Sequence, residues 1–137
     1  MRRLLRLCTF ILVILVLFFT ADLRSQEKEK PVEMTLEVGT KEDAERAMKV
    51  ARRFLELAQA KKITDAAAQV EERYRQKVHD EFEMGKLNRL KLKSINRIAL
   101  FDSNRGWRAR LKATVESDQE IGIDMIFLQN RWWITVQ

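Results

Sequence analysis

The chain has little of what builds small chemical sites. Among 137 residues there is one cysteine, one proline, one histidine and one tyrosine, with four glycines. The lone cysteine, Cys8, lies in an N-terminal hydrophobic stretch, so no disulfide can form in the remainder. Stability there must come from packing, even in an oxidising compartment. Cys8 also precedes most of that stretch, whereas the lipid-bearing cysteine of a lipoprotein follows it. So few Gly and Pro argue against a loop-rich fold. No G-x-S-x-G, P-loop or C-x-x-C sequence occurs, which removes the commonest nucleophile, phosphate and redox motifs. The histidine, His79, stands in Val78-His79-Asp80-Glu81. A metal there would need carboxylates for its other ligands, and helical neighbours such as His79 and Asp80 diverge by roughly 100°. His79 therefore reads as a solvated helix residue. The expectation is no catalytic residue, no cofactor and no metal.

What the sequence does have is a sharp division. Arg2, Arg3 and Arg6 precede Leu7 to Ala21, an uncharged and almost wholly apolar run. As a helix that run rises about 22 Å, short of a bilayer core of about 30 Å. Length favours a signal peptide. The cleavage signal is poor, because Phe19-Thr20-Ala21 puts an aromatic where a small residue is preferred. Residues 1–25 are thus expected to be a signal peptide or a retained membrane anchor, 26–31 a charged linker closed by Pro31, and 32–137 a single domain. In either case the arginines stay inside and the domain is exported, periplasmic or extracellular. The net charge is +6, of which +3 belongs to the first 25 residues. A mildly basic exported domain argues against a nucleic-acid partner.

Within the domain, Val32, Met34, Leu36 and Val38 alternate with polar residues, the period of a strand ended by Gly39. Thr40 and Asp43 have capping-box spacing, which starts a helix predicted over Lys41 to Lys61 with Ala44, Ala47, Met48, Ala51, Phe54, Leu55 and Ala58 as its apolar stripe. A second helix is predicted over Asp65 to Met84, where Ala66, Val70, Tyr74, Val78 and Phe82 recur every fourth residue and Gly85 supplies a terminator. From Leu87 the period becomes two. Strands are predicted at Leu90 to Phe101, with a bulge near Ser94–Asn96, at Trp107 to Val115, at Ile121 to Leu128, and at Trp132 to Val136. Two helices followed by a four-stranded antiparallel meander is an α+β layout, with the helices covering the apolar sheet face.

A register with Glu116 facing Glu120 pairs Leu111 with Met125, Ala113 with Ile123 and Lys112 with Asp124. A tight Gln129-Asn130 turn then pairs Phe127 with Trp132 and Ile126 with Trp133. The consequence is an outer face, away from the helices, that carries Phe101, Ile126, Leu128 and Trp133 beside Arg108 and Arg110. Aromatics with arginines are the composition of an interface core. The alternative is that the Val32–Val38 segment covers this patch. Lys86 to Lys112 also carries nine Lys or Arg against Asp102 alone. Lys91, Lys93, Arg97, Arg108, Arg110 and Lys112 are expected largely on that outer face, as a solvated stripe or one screened by acidic partners. A pocket between helices and sheet is expected around Tyr74, Met125 and Trp132, suited to a small apolar ligand.

The run ARRFLELAQAKKITDAA, with Phe54 near the middle of its helix, and the closing Trp-Trp-Ile-Thr-Val together resemble the nuclear transport factor 2-like, or cystatin-like, superfamily over Ala44 to Gln137. The resemblance implies a curved sheet wrapped around helices, a cone-like pocket and frequent dimerisation through the sheet's outer face. It includes enzymes, ligand binders and a membrane-anchored assembly component of type IV secretion systems. Enzymes of that superfamily keep an acid or base inside the cone, and the core-facing positions here are apolar. The resulting expectation is a non-enzymatic envelope module that contacts a protein partner or itself as a homodimer. A membrane contact through residues 1–25 applies if these are retained.

Overall fold

The protein is described by a computed structural model covering residues 30–136. The leader, residues 26–29 of the linker and Gln137 lie outside the described residues. Among those described there are five strands, three α-helices and one turn of 3-10 helix. No described helix is long and apolar enough to cross a membrane.

Strand β1 (Glu33–Leu36) leads through Gly39, at φ 72°, into helix α1 (Lys41–Gln59). The capping box forms: the Asp43 amide donates to Thr40 Oγ1, and Asp43 takes the Thr40 amide at 2.8 Å. That satisfies two amides which the first helical turn leaves without partners. The apolar stripe is buried throughout, with Ala44, Ala47, Ala51 and Ala58 fully so. Small residues there let the helix lie close to the sheet. The helix ends two residues before the predicted Lys61, in a Schellman motif: the Lys61 amide bonds the Ala58 carbonyl and the Lys62 amide that of Leu57. Lys61 takes the left-handed conformation, φ 58°, that glycine usually supplies.

The predicted second helix is interrupted. It becomes α2 (Ile63–Ala67), a 3-10 turn at Glu72–Tyr74 and α3 (Arg75–Glu83). Between them the chain leaves the helical path at Val70 and pairs in parallel with β5 (Arg131–Thr135). The Glu71 amide bonds the Ile134 carbonyl, and the Ile134 amide bonds that of Gln69, both at 2.9 Å. Two backbone hydrogen bonds to a sheet edge stand where helical ones would have been. Gly85, φ 72°, ends α3 as expected.

Strands β2 (Leu92–Ser103), β3 (Gly106–Val115), β4 (Glu120–Leu128) and β5 form the antiparallel meander. The sheet is nonetheless five-stranded and mixed, because β1 adds to β2 in parallel with Met34 beside Ile98 and Leu36 beside Leu100. This corrects the four-stranded expectation. It also removes the Val32–Val38 segment as a cover for the outer face, since β1 lies at the edge of the sheet. The β2 bulges fall at Leu92–Ser94 and Ile95–Arg97, where expected.

The final hairpin has the predicted register, Phe127 beside Trp132 and Ile126 beside Trp133. Its turn residues Gln129 and Asn130 both have positive φ, 53° and 59°, the turn that matches strand twist. The β3–β4 register differs from the expectation by two residues: Leu111 faces Ile123 and Ala113 faces Ile121. The turn is Glu116-Ser117-Asp118, one residue earlier than expected, with Asp118 at φ 60° and its amide on the Val115 carbonyl. Aspartate tolerates that conformation and sets the turn. A two-residue shift leaves each side chain on its face.

Helix and sheet residues share one core. Phe54 and Val78 meet Ile98, Leu100, Leu111, Met125, Trp132 and Ile134, all buried. Burial of each large side chain contributes about 1.5–3 kcal/mol. Trp107 stacks on Phe127 with centroids 5.9 Å apart, and Phe127 meets Trp132 at a tilt of 54° with centroids 5.1 Å apart.

Candidate functional site

The pleat places every second residue of the meander on the face opposite the helices. One row crosses four strands there: Phe101 beside Arg108, Arg108 beside Ile126, Ile126 beside Trp133. The next row toward the β4–β5 turn brings Leu128 beside Arg131. On the other side Arg110 stands between Ala99 and Asp124. All six residues expected on the outer face therefore lie on one surface. Ile126 is fully buried, Phe101, Arg108, Leu128 and Trp133 are half-buried, and Arg110 is exposed.

Trp133 is held firmly. Its indole N–H donates to the Leu128 carbonyl at 3.1 Å. The Arg131 guanidinium sits 4.3 Å and that of Arg75 5.9 Å from its ring centroid. Arg75 is itself fixed by a bond from Nε to the Val70 carbonyl. A cleft of about 670 Å³ opens beside this tryptophan, lined by Leu128, Gln129, Glu71, Glu72, Arg73 and Arg75. The segment that pairs with β5 thus brings charged residues to the rim of the apolar patch.

The basic stripe is not the uncompensated field that the sequence implies. Arg97 pairs with Glu33 at 3.2 Å, Arg110 with Asp124 at 3.0 Å and Lys112 with Glu120 at 3.3 Å. Lys91 and Lys93 reach Glu116 and Asp118 at the β3–β4 turn, each at 2.7 Å. The hydrogen bond and charge of Lys93 hold the Asp118 carboxyl below its usual value. Asp124 faces Arg110, not Lys112 as the expected register had it. Arg110 also lies 5.6 Å from the Phe101 ring centroid.

The residues expected around a ligand pocket, Tyr74, Met125 and Trp132, belong to or pack against the core and do not line the cleft between helices and sheet. Met125 and Trp132 are core residues with no more than 2% of their surface exposed. Tyr74 is half-buried on the 3-10 turn, where its hydroxyl accepts from Arg73 at 2.6 Å with the guanidinium 4.7 Å from its ring centroid. A cleft of about 470 Å³ does lie between helices and sheet, but its apolar wall comes from Phe54, Leu55, Val78, Leu87, Leu90 and Ile121. The sequence pattern identified most of these as core positions. It held no sign that they leave space where β5 ends short of β4.

Glu71 is the residue that sequence reasoning missed. It falls within the predicted second helix, and its carboxylate joins Arg105 of the β2–β3 turn and Arg73, with 12% of the side chain exposed. Its placement follows from the break in the second helix, which no glycine or proline announces. His79 is half-buried on α3. No cluster of three His, Cys, Asp or Glu side chains suited to a metal occurs among the described residues.

Compared with known proteins, the chain matches no family model, no curated protein and no solved structure. What fold and surface define is a class by architecture: a small α+β domain with helices on one face of a mixed sheet and an arginine-aromatic surface on the other.

Proposed function

We propose that the chain is an exported, non-enzymatic protein-interaction module of the cell envelope that works through the outer face of its sheet. The observation that carries this reading is the row Phe101–Arg108–Ile126–Trp133, with Leu128 beside it. A sheet face that met only water would alternate to polar residues along these strands. Here apolar side chains and arginines meet across strands β2 to β5, with Trp133 fixed by a hydrogen bond and guanidinium contacts. Rigid aromatic and arginine anchors lose little conformational freedom on binding, which is why they concentrate affinity. Export rests on the Leu7–Ala21 run behind Arg2, Arg3 and Arg6. The absence of an enzymatic role rests on the apolar character of Leu111, Ile123, Met125 and Ile134, which face the helices. We further place the fold with the cone-like, curved-sheet superfamily that the sequence resembles.

The test is site-specific photo-crosslinking in the cells that make the protein. A photoreactive residue at Phe101 or Leu128 is expected to give a discrete protein adduct. The same residue at Lys49 or Arg52, exposed on α1, is expected to give none. Adducts of equal yield from both faces, or none from the sheet face, would remove the reading.

A second reading has its own observation, the cleft of about 470 Å³ with a largely apolar wall. In this reading the cleft holds a small apolar ligand. Native mass spectrometry of the purified full chain would then show a bound species, and Leu87→Trp would displace it. An unliganded mass for both proteins removes this alternative.

A further inference from the structure

The outer face contains cations of two kinds. Arg97, Arg110 and Lys112 each hold a carboxylate of this chain, namely Glu33, Asp124 and Glu120. Arg108 and Arg131 hold none among the described residues. Arg131 lies against Trp133 and donates to the Gln69 side-chain oxygen at 3.2 Å. Arg108 is half-buried between Phe101 and Ile126 in the row. Desolvating a guanidinium without a counter-charge is unfavourable, so at half-buried Arg108 an incoming carboxylate gains more than it would in water, while Arg131, exposed beside Trp133, offers a second cation that holds no carboxylate of its own.

We infer that the partner of this face is an acidic polypeptide segment. It would place one carboxylate on Arg108 and another on Arg131, with an apolar or aromatic side chain between them over Leu128 and Trp133. The inference rests on the reading of the outer face as a protein-contact surface and names the chemistry of what binds. Arg108 lies on β3 and Arg131 on β5, two strand spacings apart and offset by two residues along the strands, so the two carboxylates are separated by roughly 12 Å. An extended chain spans that distance with acids four residues apart, which share one face with the residue midway between them.

Charge complementarity decides against a second copy of this chain. A two-fold contact would lay the same patch on itself. It would set Arg97, Arg108, Arg110, Lys112 and Arg131 against the same five groups. Glu33, Glu120 and Asp124 on that face, and Glu71 on its rim, are already engaged and would have to break their own pairs to help, which leaves Glu72 on the rim against all five cations.

The experiment is selection from a phage-displayed library of random twelve-residue peptides against the full chain in detergent micelles, followed by affinity measurement on synthetic copies of the enriched peptides. Enriched peptides are expected to carry two acidic residues flanking an apolar one. Arg108→Gln and Arg131→Gln should each weaken their binding about tenfold, and Arg108→Lys by less, because it keeps charge but loses the planar fork. Unchanged circular dichroism and melting would show each variant folded, with Arg108→Lys standing in should Arg108→Gln fail that control. Peptides that need Trp133, by Trp133→Ala, but carry no acids and ignore both arginine variants overturn this inference and leave the contact face standing. Peptides indifferent to all of these variants overturn both. Failure to enrich any peptide on wild type over Arg108→Gln overturns the inference, as does a concentration-dependent dimer in light scattering that is lost with Arg108→Gln.

Discussion

Asp118 illustrates how single residues here serve conformation and charge together. At φ 60° it makes the left-handed step that closes the β3–β4 turn, and its carboxylate takes the Lys93 ammonium at 2.7 Å. The hydrogen bond first, and the charge second, lower its pKa. Because the folded value is depressed, the stabilisation is complete above the unfolded carboxylate pKa and is lost as pH falls through the folded one. An NMR titration of the aspartate carboxyl groups should show Asp118 titrating at lower pH than an unpaired aspartate, and returning to the usual range in Lys93→Gln. An Asp118 midpoint unchanged by that substitution would show that Lys93 has no hold on it. The same residue scale explains why the outer face was legible in the sequence although the register was not. The turn moved by one position and the pairing by two, and a two-residue shift preserves facing. Phe101, Arg108, Arg110, Ile126, Leu128 and Trp133 stayed together, while the expected Lys112–Asp124 pair became Arg110–Asp124. The ion pairs were illegible because each depends on register, which alternation alone does not fix.

At the scale of elements, two helices end in the same way with different residues. Both α1 and α3 close in Schellman motifs, one around Lys61 at φ 58° and the other around Gly85 at φ 72°. A left-handed conformation costs a residue with a Cβ about 1–2 kcal/mol, a cost that glycine avoids. Lys61→Gly should therefore stabilise the protein by about 1 kcal/mol, and Gly85→Ala should destabilise it by about the same, both read from urea midpoints. Equal midpoints for wild type and Lys61→Gly would mean that the α1 terminus is not under strain. The glycine is why the end of α3 could be read from sequence and that of α1 was misplaced by two residues. The second helix failed for another reason. Ala66, Val70, Tyr74, Val78 and Phe82 keep a helical period, yet Val70 is claimed by the edge of β5, a contact 64 positions away along the chain. Local periodicity carries no record of a competitor so distant. Strand β1 was visible as alternation, but four residues cannot reveal that their partner would be β2 in parallel.

Over the whole molecule, the two edges of the sheet are treated differently. The β1 edge is a single short strand, which limits its exposure to unwanted pairing. The β5 edge is closed at Ile134 by Gln69 and Glu71. Glu71 makes that closure more than local, because its carboxylate also reaches Arg105 on the β2–β3 turn and Arg73 on the 3-10 turn. One residue thus joins the interrupted helix, the last strand and a hairpin at the far end of the meander. Arg75 follows from the same closure, since its bond to the Val70 carbonyl brings it beside Trp133. Glu71→Ala should cost about 1–2 kcal/mol in urea unfolding, between the values for an exposed ion pair and a buried charged hydrogen bond. Its more telling effect should be regional. The amides of Glu71 and Ile134 should lose hydrogen-exchange protection well before those of Ile98 and Leu111 on the central strands. Trp133 fluorescence should shift as Arg75 is released. If protection falls uniformly across the sheet, Glu71 contributes to global stability only, and the segment beside the outer face is held by backbone pairing alone. If it falls at the β5 edge first, the geometry of the proposed contact surface is set by a carboxylate on the rim, and changes at Glu71 should alter any binding at Trp133.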